Sequence, residues 1–165
     1  MIFVTVGNDF RDFSRLIRKV DSIAPDIPDE IVVQTGYSKY RPKNMRHFDF
    51  VPIDSAIEYV RASELVVSHA GIGTIILCKE YGIPIIILPR REKFGEHMND
   101  HQMEIAKILE EKKDANVHVI YEESGLERVI KEVLKNRKRD TPIENIGRAN
   151  LIRTIREFIE RGVKE

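Results

Sequence analysis

Six short runs of β-branched and aliphatic residues constrain this chain more than any other feature: Ile2–Val6, Ile31–Gln34, Phe48–Val51, Leu65–Ser68, Ile85–Leu88 and Val117–Ile120. Runs that stay apolar without alternating suit parallel strands buried on both faces. Between them lie stripes with helical spacing: Phe13, Leu16, Ile17 and Val20; Ala56, Ile57, Val60 and Ala62; and a stretch through Leu77 to Tyr81. A helix from about Asp100 carries Ile105, Ile108 and Leu109 inward with Met103 and Ala106 flanking, and another carries Leu126, Val129, Ile130, Val133 and Leu134. Asp9 and Asp54 are predicted N-caps, and Gly82 a helix stop. Strands alternating with helices predict an α/β fold, a doubly wound parallel sheet with helices on both faces. The 165 residues fit one domain over 1–165. Within it, 143–162 reads as a final helix whose stripe, Ile152, Ile155, Phe158 and Ile159, either docks a partner or folds back on the sheet.

Composition narrows the class. With 27 Lys and Arg against 27 Asp and Glu, the formal net charge is zero. That leaves no general electrostatic reason to bind nucleic acid or anionic lipid. The single cysteine, Cys78, excludes an internal disulfide framework and reads as core; a reducing cytosol fits it. The first residues lack the charged region and cleavage site of a signal peptide, and no apolar run approaches the ~20 residues of a membrane span. The expectation is a cytoplasmic protein without a span of its own.

In an open α/β sheet ligands bind outside the carboxyl ends of the strands. Four polar segments fall there: Gly7-Asn8-Asp9, Gln34 to Ser38, His69 to Thr74, and Pro89 to Gln102. The third is the sharpest. Gly71 and Gly73 permit close backbone approach, and Thr74 sits where a helix begins, an arrangement suited to a diphosphate or simply a tight strand-to-helix turn. It lacks the full dinucleotide glycine pattern and the lysine of a phosphate loop. In the fourth, Asn99, Asp100 and Gln102 supply the donors and acceptors that read sugar hydroxyls, although Asp100 also fits an N-cap. His97 and His101 are four apart but have no third ligand, so no metal is expected. His69 is a candidate general base or diphosphate ligand, or a packed core histidine. Glu80 is a candidate ribose acceptor or an exposed helix residue.

Taken together, Ile2 to Gly7, Val33 to Ser38, Ser68 to Ile75, Leu88-Pro89-Arg90, and Glu96-His97 with Asn99 to Gln102 resemble glycosyltransferase family 28 C-terminal domain proteins. The likeness is closest to the small stand-alone members: the catalytic subunit of the two-component UDP-N-acetylglucosamine transferase of lipid-linked oligosaccharide synthesis, and the E subunits of exopolysaccharide glycosyltransferases. It implies a Rossmann-like sheet, similar to the C-terminal donor domain of a GT-B glycosyltransferase. It also implies that Gly7, Asn8, Gly71, Gly73, Thr74 and Arg90 line the nucleotide diphosphate, and that Asn99, Asp100 and Gln102 face the donor sugar. Relatives place Thr at the Asn8 position and a ribose-binding acid at the Leu77 position; Glu80, one turn on, is the candidate substitute.

The implied reaction is inverting transfer from a UDP-sugar, as substrate and with no cofactor, to a lipid-linked acceptor. Arg90 or Arg91 is the candidate cation for the leaving group, and His69 and His97 are the candidate bases. Such transferases have two facing domains, so this chain would be one half. A membrane-anchored, acceptor-binding glycosyltransferase subunit would supply the other half and recruit it to the cytoplasmic face of the membrane. The alternatives are a non-catalytic nucleotide-sugar-binding regulatory subunit, and a UDP-sugar epimerase or hydrolase.

Overall fold

The computed structural model describes residues 1–136. The expected helix over 143–162 lies outside the described residues. Six parallel strands form one sheet in the order β3-β2-β1-β4-β5-β6: β1 Ile2–Thr5, β2 Ile31–Gln34, β3 Arg46–Phe48, β4 Leu65–Ser68, β5 Ile85–Ile87 and β6 Val117–Val119. The chain therefore starts at the centre, winds outward to β3, and crosses back to β4 beside β1. That reversal between β1 and β4 is the switch point of a doubly wound sheet.

Among the described residues five α-helices cover it: α1 Ser14–Ile23, α2 Ile53–Arg61, α3 Ile72–Glu80, α4 His101–Glu111 and α5 Leu126–Asn136. Strand side chains alternate between two cores. Ile2, Val4, Ile31, Val33, Leu65, Val67 and Ile86 pack with α1 and α5. Phe3, Val66, Ile85 and Ile87 pack on the other face with Val60 of α2, and Ile75 and Cys78 of α3. Helices on both faces explain why the runs carry no polar alternation.

The local departures from expectation have physical causes. The third strand is Arg46–Phe48 instead of Phe48–Val51, because pairing with β2 sets Val32 opposite Arg46 and Gln34 opposite Phe48. As an edge strand it needs no continuous apolar run. Asp9 does not cap α1, which begins at Ser14. Instead Asp9 and Asp12 each accept the backbone N–H two residues on, from Arg11 at 2.8 Å and Ser14 at 2.9 Å. These Asx turns spend the carboxylates locally. Asp54 lies inside the first turn of α2, because Pro52 takes the cap position; there it still meets the positive helix end. Gly82, with φ +64°, ends α3 as expected. On α4 the inward face differs: Gln102 and Ala106 are buried, whereas Ile108 is 53% exposed.

The β2–β3 connection has no helix. Residues 35–45 are pinned to α1 by buried Asp21, which accepts N–H groups from Lys43 and Asn44 and the Tyr40 hydroxyl, the last at 2.6 Å.

Leu16→Ala, at a wholly buried site, is expected to cost about 2–5 kcal/mol. Ile108→Ala is expected to stay within about 0.5 kcal/mol. Urea unfolding of the two variants checks the assignment of the α1 and α4 faces.

Candidate functional site

Strand order brings the loops after β1 and β4 together at the carboxyl edge of the sheet. Between them stands the His69 imidazole. A Cβ built on Gly7 would lie 2.2 Å from His69 Nε2, and one on Gly71 would lie 1.8 Å from its Cε1. Both glycines are thus required by a side chain of this protein: the space that Gly71 leaves is filled by His69. Gly7 also takes φ +72°, a conformation costly for other residues. Gly73 is different, since a Cβ there would meet nothing within 4 Å. It stands in the first turn of α3, beside Thr74, with Gly71 at the N-cap.

His69 is 9% exposed, and its Nδ1 has no hydrogen-bond partner among the described residues. Burial, reinforced by the Arg90 charge, pushes its pKa down to about 4. It is therefore a neutral imidazole near pH 7, able to donate or accept a hydrogen bond but weak as a proton acceptor.

Neighbouring polar groups at this edge are joined in a chain. The Thr5 hydroxyl donates to Gln34 Oε1 at 2.8 Å, Gln34 Nε2 donates to Asn8 Oδ1 at 3.3 Å, and Gly7 N–H donates to Thr5 Oγ1 at 3.1 Å. Asn8 is exposed at the end of this chain.

Arg90 departs from its expected place. Its side chain is 0% exposed, so in this conformation the guanidinium does not reach the rim where a diphosphate would lie. It donates to the carbonyls of Val6 at 2.8 Å, Glu96 at 3.0 Å and Arg11 at 3.1 Å, over the Phe13 ring. Burial pulls its pKa down, countered by the charges of Asp9 and Glu96. Burial also raises the Asp9 carboxyl, but the Arg11 N–H and the Arg90 charge outweigh it and hold Asp9 below the usual carboxylate range. Arg91 is likewise turned inward, to Tyr121 O at 2.6 Å and Glu122 at 2.9 Å.

Gln102, in the first turn of α4, is buried. Its Oε1 accepts the N–H groups of Ala70 at 3.1 Å and Arg90 at 3.0 Å, tying the exits of β4 and β5 together. Asp100 takes the N-cap position of α4, yet its Oδ1 accepts Glu92 N–H at 3.0 Å, and the residue is exposed at the rim. Exposed Asn99 binds His97 Nδ1 at 3.0 Å through its own Oδ1. His101 pairs with Glu104 on the exposed side of α4. Among the described residues no group of three or more His, Cys, Asp or Glu is placed to hold a metal ion.

Glu80 is corrected by position. It ends α3, six residues beyond Thr74 and roughly 9 Å along the axis, at the opposite end from the glycine turn. It does not join the rim. Both carboxylate oxygens are buried without partners among the described residues, and burial raises its pKa. Leu77 packs against the core shared with α2 and β5.

Sequence reasoning placed Thr5, Gln34 and Glu96 in the right segments without giving them a role, and it missed Arg15. The available signal was polarity where burial is otherwise continuous: Thr5 interrupts one apolar run, Gln34 ends another, and Arg15 directly precedes the Leu16-Ile17 pair.

Gly71→Ala is expected to destabilise by about 1–3 kcal/mol through collision with the ring. In a His69→Ala background the penalty should shrink, giving a coupling of about 1 kcal/mol or more in a double-mutant cycle. The sign of the pH effect follows from the lowered pKa. Between pH 6.5 and about 4 the unfolded chain binds a proton that folded His69 refuses, so stability falls as pH drops through this window. The full loss is about 3 kcal/mol; urea titrations at pH 7 and 4.5 should show it, and His69→Asn should flatten it.

Residues 1–161 match the glycosyltransferase family 28 C-terminal domain. Over 120 residues the chain is 33% identical to mouse UDP-N-acetylglucosamine transferase subunit ALG13, covering 65% of this chain and 10% of that protein. Over 134 residues it is 28% identical to the UDP-N-acetylglucosamine--N-acetylmuramyl-(pentapeptide) pyrophosphoryl-undecaprenol N-acetylglucosamine transferase of Aquifex aeolicus, covering 76% of this chain and 37% of that enzyme. The match thus spans a minor part of either relative. Among solved structures, the NMR structure of ALG13 superposes with a TM-score of 0.56 over 93% of both chains at 19% identity. The calicheamicin glycosyltransferase CalG4 gives 0.58 over 82% of this chain and 34% of its own, at 14% identity. These two likenesses describe the fold, the Rossmann-like half of a GT-B architecture; the match along nearly the whole sequence makes this chain a member of the glycosyltransferase family 28 C-terminal domain family.

Proposed function

We propose that this chain is the donor-binding, catalytic half of a split inverting glycosyltransferase. It would move a sugar from a UDP-sugar to a lipid-linked acceptor in exopolysaccharide or glycan synthesis. The observation that carries the reading is the turn at the β1–β4 switch point. There Gly73 stands open at the start of α3, with neutral His69 and Asn8 alongside. The N–H groups of a helix's first turn have no partner within the helix, and with the positive helix end they complement a diphosphate. His69, neutral and with Nδ1 unpartnered, is better suited to hydrogen-bond that diphosphate than to act as the general base. Asn99 and Asp100, exposed on the adjoining loop, and the amide nitrogen of Gln102 face the sugar in this reading.

The acceptor oxygen attacks the anomeric carbon, the carbon–oxygen bond to UDP breaks, and configuration inverts. The acceptor proton passes to a base, and the developing charge on UDP is met by the helix end. UDP-sugar is a substrate here, and the reading calls for no cofactor. A membrane-anchored subunit would bind the acceptor and bring this chain to the cytoplasmic face of the membrane. Two facts support a partner. The ALG13 relatives are named as subunits, and the edge of the sheet next to the site exposes Phe10, Tyr37 and Phe50. Among the described residues no helix is long and apolar enough to cross a membrane. A regulatory, nucleotide-sugar-binding role is the second reading, favoured by the core-facing Leu77 where relatives carry an acid.

Calorimetric titration with UDP and UDP-sugars tests the site. Gly73→Asp adds a carboxylate in open space at a helix start, where it suits the helix but repels a diphosphate. The expected result is an unchanged melting temperature with UDP affinity reduced at least about tenfold, about 1.4 kcal/mol. Asp100→Ala and Gln102→Ala should weaken UDP-sugar more than UDP. Unchanged binding in Gly73→Asp would sink the diphosphate assignment. Radiolabelled sugar transfer by the reconstituted pair separates catalysis from regulation, and turnover of UDP-sugar alone would indicate an epimerase or hydrolase.

A further inference from the structure

We infer that Glu96 is a positioning residue of the donor cleft, locking the loop after β5 to the turn after β1 without touching the ligand. The inference rests on the UDP-sugar reading for its functional consequence. Its geometric basis is independent of it.

Glu96 is 3% exposed. Its carboxylate takes a two-point grip from Arg15 of α1, Nε to Oε1 at 2.8 Å and Nη2 to Oε2 at 2.9 Å. Oε2 also accepts Arg91 N–H at 3.0 Å, and the Glu96 carbonyl accepts Arg90 Nη1 at 3.0 Å. That same Arg90 guanidinium reaches Val6 O and Arg11 O, the entrance and far side of the turn that carries Gly7 and Asn8. Arg15 continues to Pro89 O at 3.0 Å and Glu123 at 3.0 Å. The turn that carries Gly7 and Asn8, held at Val6 O and Arg11 O, and the loop after β5, held at Pro89 O and Glu96, therefore hang from the guanidinium groups of Arg90 and Arg15. Such paired donors fix orientation as well as distance. A lysine in place of either arginine could not span the same acceptors.

Charge and geometry predict opposite signs, which makes the inference testable. Glu96→Gln removes a negative charge near a dianionic ligand, so electrostatics alone would tighten UDP binding. Loss of the lock should weaken it. The expected result is about a tenfold loss of UDP affinity by calorimetry. Hydrogen exchange should accelerate together in residues 7–11 and 90–96, with the strands unchanged. Arg15→Lys, which keeps the charge and loses the fork, should act likewise and serves if Glu96→Gln does not fold. The double variant should be no worse than the weaker single one. Unchanged or tighter UDP binding in both variants, or accelerated exchange confined to 90–96, overturns the inference. Wild-type protein that binds no UDP would instead overturn the donor-site reading, and the exchange experiment would still decide whether the loops are coupled.

Discussion

At the carboxyl edge of a parallel sheet the chain leaves the ladder, and its backbone carbonyls lose their strand partners. Here one buried cation meets that demand. Arg90 donates to Val6, Arg11 and Glu96 carbonyls from a position with no solvent exposure. A buried carbonyl without a donor costs free energy comparable to a lost hydrogen bond. A buried guanidinium without acceptors or counter-charge would cost more. Each solves the other's problem, and Asp9 and Glu96 offset the charge. The loops that shape the cleft depend on this arrangement, because they have little regular structure to hold them.

The second constraint is steric. His69 occupies the gap between the β1 and β4 turns, so Gly7 and Gly71 serve the protein's own packing, while Gly73 keeps its side open. Three glycines that look equivalent in sequence thus divide into two that admit a ring and one whose side is open. Keeping the imidazole neutral also divides its chemistry. It can orient a diphosphate by hydrogen bonding, but a group with a pKa of about 4 is a poor base for a sugar hydroxyl.

The chain aligns with about a third of the length of CalG4. The carboxyl edge of the sheet exposes the aromatic side chains Phe10, Tyr37 and Phe50. With net charge zero, attraction to anionic lipid is weak.

Sequence alone determined the strands other than the edge strand β3, the helices on both faces and the loops that reach the rim. Hydrophobic period is local information, and a run such as Leu65–Ser68 has few other uses than a strand buried on both faces. The motif order also identified the family. Tertiary structure decided which polar side chains face outward. Arg90, placed at the rim on chemistry, is buried because acceptors arrive from loops distant in sequence. Glu80 reads as one turn from the site but lies at the wrong end of α3. Ile108 fits a stripe yet faces solvent, while Gln102 and Ala106 are the buried residues of α4. Asp21 and Glu96 draw their roles from partners far along the chain, such as Asn44 and Arg15. Local periodicity encodes secondary structure; the partner of a charged group is set only when the chain folds and brings distant acceptors within about 3 Å.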